Sequence, residues 1–252
     1  MPLRIITSPA KKMRESDAPP WPVREPALAR RAEAVAGALR SLGRDEAQAL
    51  WRCSDRLAEL NYARLANLDP HRGTTAAAVA YEGIQYTHMA PSVMSEGELA
   101  WLDAHLRILS GLYGILRPLD AVMPYRLEMQ ARLPVDGARD LYEFWGSSLY
   151  EELCSECDLI VNVASVEYAR AVTPWARPGG AKVLTCLFGT VREGRLRQAA
   201  TEAKAARGTF VRWCAERAVE GPEELRAFSE RGYALDEGRS DAETLVFVRA
   251  GA

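Results

Sequence analysis

Lysine is scarce in this chain. Only Lys11, Lys12, Lys182 and Lys204 occur among 32 basic residues, and arginine supplies the rest. A GC-rich coding bias explains such a ratio, yet it makes each surviving lysine worth locating. Histidine is as rare: His71, His88 and His105 lie far apart and form no metal motif. No apolar run reaches the roughly 20 residues of a membrane span, and residues 3–7 are too short for the hydrophobic part of a signal peptide. The five cysteines (Cys53, Cys154, Cys157, Cys186, Cys214) are scattered and odd in number. That usage predicts a reducing, cytoplasmic setting. Cys154 and Cys157 have the spacing of a zinc or redox pair, but no second pair accompanies them. Walker loops and dinucleotide glycine fingerprints are missing too. Neither metal nor cofactor is expected. A formal net charge of −2 excludes a generally basic nucleic-acid coat, while leaving room for a local basic cleft.

What is present is an ordinary folding composition, 48% hydrophobic and 26% charged over 252 residues, enough to bury a large core without cross-links. No repeat or low-complexity linker divides it, so a single domain over residues 1–252 is predicted. Residues 3–7 and 159–163 read as buried strands, and the Pro-rich stretch 18–22 excludes regular helix. Helices are predicted over 26–42, 44–53 and 54–68, with Ser54 capping the third. Residues 76–89 fit helix or strand. Ser95 reads as an N-cap followed by Glu96 and Glu98, and Leu99, Leu102, Leu106 and Leu109 continue at helical spacing. Residues 125–133 read as extended, 140–154 as an aromatic helix and 198–219 as a long helix. A hairpin turns at Glu193-Gly194 between strands 182–188 and 195–197, and short strands over 233–235 and 244–248 finish the chain. The order is mixed, which predicts an α+β or irregular α/β fold rather than a doubly wound sheet.

Several constellations are candidates for chemistry. A helix–hairpin–helix over residues 99–117, broken at Ser110-Gly111-Leu112-Tyr113-Gly114, would aim backbone amides at phosphate, with Arg107 and Arg117 flanking. An ordinary permissive turn is the plainer reading. Asp120 and Glu128, in a proline-restricted segment, are either an acid/base pair or salt-bridge partners of Arg117 and Arg126. Ser8 and Lys11 follow a strand end, a common ligand position. Lys204 and Arg207 share a helix face away from the apolar stripe of Ala203, Phe210 and Trp213. Asn162 and Ser165 close a buried strand, and Ser165 lacks the glycine-flanked elbow of a catalytic serine.

Taken together, these segments resemble the YaaA family of bacterial peroxide-stress proteins. The resemblance rests on Ser8-Pro9-Ala10-Lys11, Ser54-Asp55-Arg56-Leu57-Ala58, the continuous run 105–120, and residues 123–129, 140–146, 162–168 and 203–208. It implies one mixed α/β domain with an irregular mixed sheet, a helix–hairpin–helix element at 99–117 and a positively charged cleft. It also implies binding of double-stranded DNA, in a role that limits DNA damage and iron toxicity. The chain departs from the family pattern at Glu82, Ile84 and Gln85, at His88, at Gly189, and at Ala200 and Ala205.

Two functions therefore compete. In the first, DNA phosphates sit on residues 110–114 while Lys11, Arg107, Arg117, Arg126, Lys204 and Arg207 line the cleft. In the second, an enzyme acts on a nucleobase, nucleotide or related small molecule in a pocket lined by Lys11, Arg126, Asn162 and Lys204. There Lys11 or Lys204 would serve as electrophile or nucleophile, Asp120 or Glu128 as general acid/base, and Tyr86 or Tyr125 as a stacking surface. A third possibility is a scaffold that meets a repair partner through the aromatic helix. Convergence of the basic groups on one deep pocket favours the second; an open basic groove beside the hairpin favours the first.

Overall fold

The computed structural model describes residues 2–16 and 21–249. Eight strands form one sheet: β1 (Leu3–Thr7), β2 (Leu106–Ser110), β3 (Gly114–Leu116), β4 (Leu159–Asn162), β5 (Lys182–Arg192), β6 (Arg195–Arg197), β7 (Tyr233–Leu235) and β8 (Thr244–Arg249). Their order is β7-β8-β5-β4-β1-β2-β3, with β6 paired to β5. The five central strands, β8 to β2, run parallel, and β3, β6 and β7 add antiparallel pairs. The fold is a single α/β domain with a mixed sheet, more regularly parallel at its centre than the element order predicts.

Burial explains the strand sequences. Leu159-Ile160-Val161-Asn162 is buried along its whole length, and such continuous apolar runs belong to parallel strands covered on both faces. The 193–194 turn is present as read: Glu193 and Gly194 both have positive φ, and Arg192 pairs with Arg195. Most of the Pro-rich stretch lies outside the described residues.

Helices fill the connections: α1 (Ala29–Arg40), α2 (Arg44–Trp51), α3 (Asp55–Leu65), α4 (Ile84–Met89), α5 (Glu96–His105), α6 (Ser148–Glu156) and α7 (Ala200–Glu216). Ser54 occupies the N-cap position of α3 without a side-chain capping bond. The ambiguous 76–89 stretch contains both states, a two-residue strand at Tyr81–Glu82 and then α4. Residues 125–133 form no strand, and the aromatic helix is two pieces, Leu141–Trp145 and α6, broken at Gly146 (φ 51°). Phe188, Phe210, Phe228 and Phe247 form a continuous aromatic cluster under α7.

The helix–hairpin–helix is not what the chain forms. Ser95 and Glu98 start α5 with a reciprocal capping box, but the helix stops at His105. Leu106–Ser110 becomes β2, pairing Ile5 with Leu106 and Thr7 with Ile108, and β3 folds back on it. Residues 106–116 are thus a β-hairpin, and no second helix exists to point its amides outward. The leucine spacing fitted a helix, but β1 needed a partner on this side, and tertiary pairing overrode local periodicity.

Candidate functional site

The sheet has a topological switch point. From β1 the chain continues to β2 on one side, and from β4 to β5 on the other, while β1 and β4 are neighbours. In open parallel sheets ligands lie in the crevice beyond the carboxyl ends of such a strand pair. A cavity of about 500 Å³ opens there, lined by the loop after β1 (Ser8–Lys12), residues 82–86, 125–128, Ser165, Glu167, Tyr168, Lys204 and Arg207.

Each wall is fixed by identifiable bonds. At the floor, Ser165 N–H donates to Ser8 Oγ (2.8 Å) and Ser8 Oγ donates to Ser165 Oγ (3.1 Å), tying the exits of β1 and β4 together. Tyr86 O–H donates to the Ser8 carbonyl at 3.0 Å, and Gln85 donates to Thr7 Oγ1. Lys12 pairs in register with Glu82 and Met13 with Tyr81, joining the loop after β1 to the start of α4. Helix α7 approaches α4 so closely that a Cβ on Gly208 would lie 2.1 Å from the Gln85 carbonyl oxygen. Only glycine lets the two backbones meet.

Behind the front wall, Tyr113 N–H donates to Ser110 Oγ (2.8 Å), which shares a hydrogen bond with Tyr125 O–H (2.7 Å), itself bonded to Tyr81 O–H (2.8 Å). Burial raises the Tyr125 hydroxyl to about 12 and raises Tyr81 as well, so both remain protonated donors rather than bases. Ser110 is a buried member of this chain. Gly111 and Gly114 serve packing: a Cβ on Gly111 would meet the Leu127 carbonyl at 3.0 Å. Gly114 has φ +73° and no room beside Trp145 and Leu149. The Tyr113 hydroxyl accepts from Met123 N–H at 3.1 Å. All five residues of the 110–114 turn are buried.

Of the predicted residues, the cavity gathers Ser8, Lys11, Tyr86, Tyr125, Arg126, Glu128, Ser165, Lys204 and Arg207. Asn162 lies just behind it, donating to Thr185 Oγ1 (3.3 Å) and accepting from Ala164 N–H (3.0 Å), so it shapes the β4 exit. Arg107 and Arg117 are elsewhere. Both bind Glu156 of α6, Arg107 at 2.6 Å and Arg117 at 2.6 Å, and Arg4 joins them. Asp120 is with them rather than in the cleft: Arg24 donates to it at 2.8 Å and Arg117 N–H at 2.8 Å. Burial raises its carboxyl to about 6 against those bonds. Asp120 and Glu128 are therefore not a pair. Each is salt-bridged, Asp120 to Arg24, and Glu128 to Lys11 and to Arg126 (3.4 Å).

Five basic and three acidic side chains line the cavity. Lys12 bonds Glu82 at the exposed rim, at 2.9 Å. Arg207 is different. Among the described residues its Nε is buried without a hydrogen-bond partner, and burial lowers the pKa of its guanidinium with no carboxylate opposing it. Arg126 is 11% exposed at its side chain, and its Nε is likewise buried and unbonded. A buried guanidinium without a counterion is costly, and such a group lining a cavity is suited to an incoming anion.

Sequence reasoning named Arg207 but not its burial, and did not single out Glu167. Glu82, Ile84 and Gln85, three of the departures from the family pattern, line the cavity; His88, Gly189, Ala200 and Ala205 are not among its lining residues.

A family profile described as peroxide stress protein YaaA matches residues 3–239. The chain belongs to the YaaA family. Curated relatives agree along the full length. A UPF0246 protein of Pediococcus pentosaceus is 42% identical, covering 98% of both chains. Another from Lactiplantibacillus plantarum is 43% identical over 98% of this chain and 99% of its own. A third, from Lachnoclostridium phytofermentans, is 40% identical over 98% and 96%. This YaaA-family chain has no helix long and apolar enough to cross a membrane among its described residues.

Proposed function

We propose that this YaaA-family protein binds a small anionic molecule, a nucleotide or related phosphate-bearing compound, in the cleft between β1 and β4, and that its cytoplasmic part in peroxide stress runs through that ligand. The Arg207 guanidinium, its Nε buried and without a hydrogen-bond partner among the described residues, carries this reading. Arg126 adds a second under-bonded guanidinium, and Lys11 and Lys204 bring further charge from the rim. Tyr86, Tyr168 and Ile84 supply apolar surface for a base or sugar. A cavity of about 500 Å³ falls within the range typical of small-molecule sites, roughly 300–1,000 Å³. Lys11 and Lys204 remain the candidate nucleophiles and Glu128 the candidate acid/base if the ligand reacts.

The test is calorimetric binding of nucleoside mono- and diphosphates to the wild type and to Arg207→Gln. Binding by the wild type that is lost in the variant is the expected result. Failure of every phosphate-bearing compound to bind, or equal binding by the variant, sinks the reading.

Double-stranded DNA is the second reading. What favours it is the exposure of Lys11, Lys12 and Lys204 at the mouth of the same cleft, where they could meet backbone phosphates. Binding should then weaken steeply with salt and fall in Lys11→Glu plus Lys204→Glu. Retention curves that ignore both changes would remove it.

A further inference from the structure

Glu167 lines the cleft beside two other carboxylates, but its circumstances differ from theirs. Glu82 is paired with Lys12, and Glu128 with Lys11 and Arg126. Glu167 makes no ion pair among the described residues. Its side chain accepts from Gln130 N–H at 3.3 Å, and the Met129 N–H also acts on it. It follows Ser165, the residue that locks β4 to β1, so its position is set by the floor of the cleft.

The groups facing it are few. Burial raises the Glu167 carboxyl above its ordinary range. The Gln130 N–H opposes this, the charge of Glu128 reinforces it, and Lys11 and the Met129 N–H oppose it. Tyr168, the next residue, is buried and remains protonated. Tyr142 donates to the Glu167 backbone carbonyl at 2.9 Å, and Arg170 lies over the Tyr142 ring, 4.9 Å from its centroid. An ionised Glu167 in the same cleft as Glu128 would repel an entering anion. The neutral acid carries an O–H donor and no charge.

We propose that Glu167 meets the bound anion as the neutral acid, donating its carboxyl O–H to a ligand oxygen, so that binding takes up a proton from solvent. This rests on the anion reading of the cleft. It makes Glu167 a specificity-determining residue that selects fully ionised oxyanions, phosphate esters above all, over ligands that bring their own proton. The balance is simple: solvent supplies the proton, the carboxylate becomes a carboxylic acid, and no covalent bond to the ligand forms.

Sulfate is the probe, because it stays fully ionised through the neutral and mildly acidic range and does not titrate itself. Wild-type affinity should weaken by up to about tenfold per pH unit once the pH exceeds the value at which free Glu167 ionises. Calorimetry in two buffers of different ionisation enthalpy should read proton uptake approaching one per sulfate. Glu167→Gln should bind with an affinity indifferent to pH and with no uptake. The uptake measurement on the wild type needs no variant to fold. Uptake of zero in the wild type, or a pH dependence that survives Glu167→Gln, overturns the proposal while leaving the anion site standing. A wild type that ignores sulfate at every pH, or binding unchanged by Arg207→Gln, overturns the site and the proposal together.

Discussion

Arginines gather at two places in this fold, and they are held in opposite ways. Against α6, Arg4, Arg107 and Arg117 converge on Glu156, and Arg24 is clamped by Asp103 and Asp120. The space left there is a cavity of about 10 Å³. At the switch point, Arg126 shares Glu128 with Lys11, Arg207 has no carboxylate partner among the described residues, and the space is about 500 Å³. The residue type is the same and the consequences diverge. Where the counterions belong to the protein, the charge cements elements together. Where a counterion is missing, the fold carries a destabilising charge that a ligand can relieve.

The hardest test of the paired region is Glu156→Ala. It leaves three guanidiniums facing each other around a carboxylate site that is 12% exposed in the side chain, and breaking a buried pair typically costs about 3–5 kcal/mol. Urea unfolding should show that loss, while anion binding at the distant cleft stays within twofold in the folded fraction. A loss of binding larger than the loss of stability would erase the distinction between the regions. Arg207→Gln should do the converse. Ligand affinity should fall by about 1.5–3 kcal/mol, the size of a charge-assisted hydrogen bond, and the unliganded protein should be no less stable.

Gly208→Ala sharpens the contrast from the backbone side. Its methyl would collide with the Gln85 carbonyl, and overpacking of this kind costs about 1–3 kcal/mol. It would also push Arg207 off its seat, so stability and ligand affinity should fall together, unlike in Arg207→Gln. A neutral result in both would mean that α7 and α4 are not held as described. The smallest effect concerns pH. Asp120 ionises at about 6 in the fold, above its unfolded value of about 3.9. The native state therefore holds the extra proton between those values, and stability gains as pH falls through about 6. Unfolding curves for wild type and Asp120→Asn should show the wild type gaining on the variant, by about 1 kcal/mol or more, between neutral pH and about 4. A difference that does not move with pH would show that Arg24 keeps Asp120 ionised.

Much of this was legible in the residues. β1 and β4 announce themselves because burial on both faces demands apolar, β-branched runs, interrupted in β1 only by Arg4, and the start of α5 is written in Ser95 and Glu98. Its end is not. Leu106 and Leu109 fit a helix as well as a strand, and only β1, a hundred residues earlier in the chain, decides between them. The same long-range blindness governs the site. Lys11, Arg126, Lys204 and Arg207 could be proposed as basic groups from their neighbours in sequence. Arg107 and Arg117 looked equivalent to them, because nothing local reveals that Glu156 neutralises both. Glu167 was overlooked for the reciprocal reason: its role depends on a missing cation, and a missing partner leaves no mark in sequence.

The outer strands of the sheet have one more consequence. β3 and β7, at the two ends of the strand order, are each three residues long and antiparallel to their neighbours. Five parallel strands rich in valine, isoleucine and leucine would otherwise present long rows of unpaired amides and carbonyls, a template on which further chains could add. The short strands reduce that template to a stub, which disfavours polymer growth by strand addition in the finished protein. The vulnerable species is the one in which the parallel strands have formed before β3 and β7 have docked.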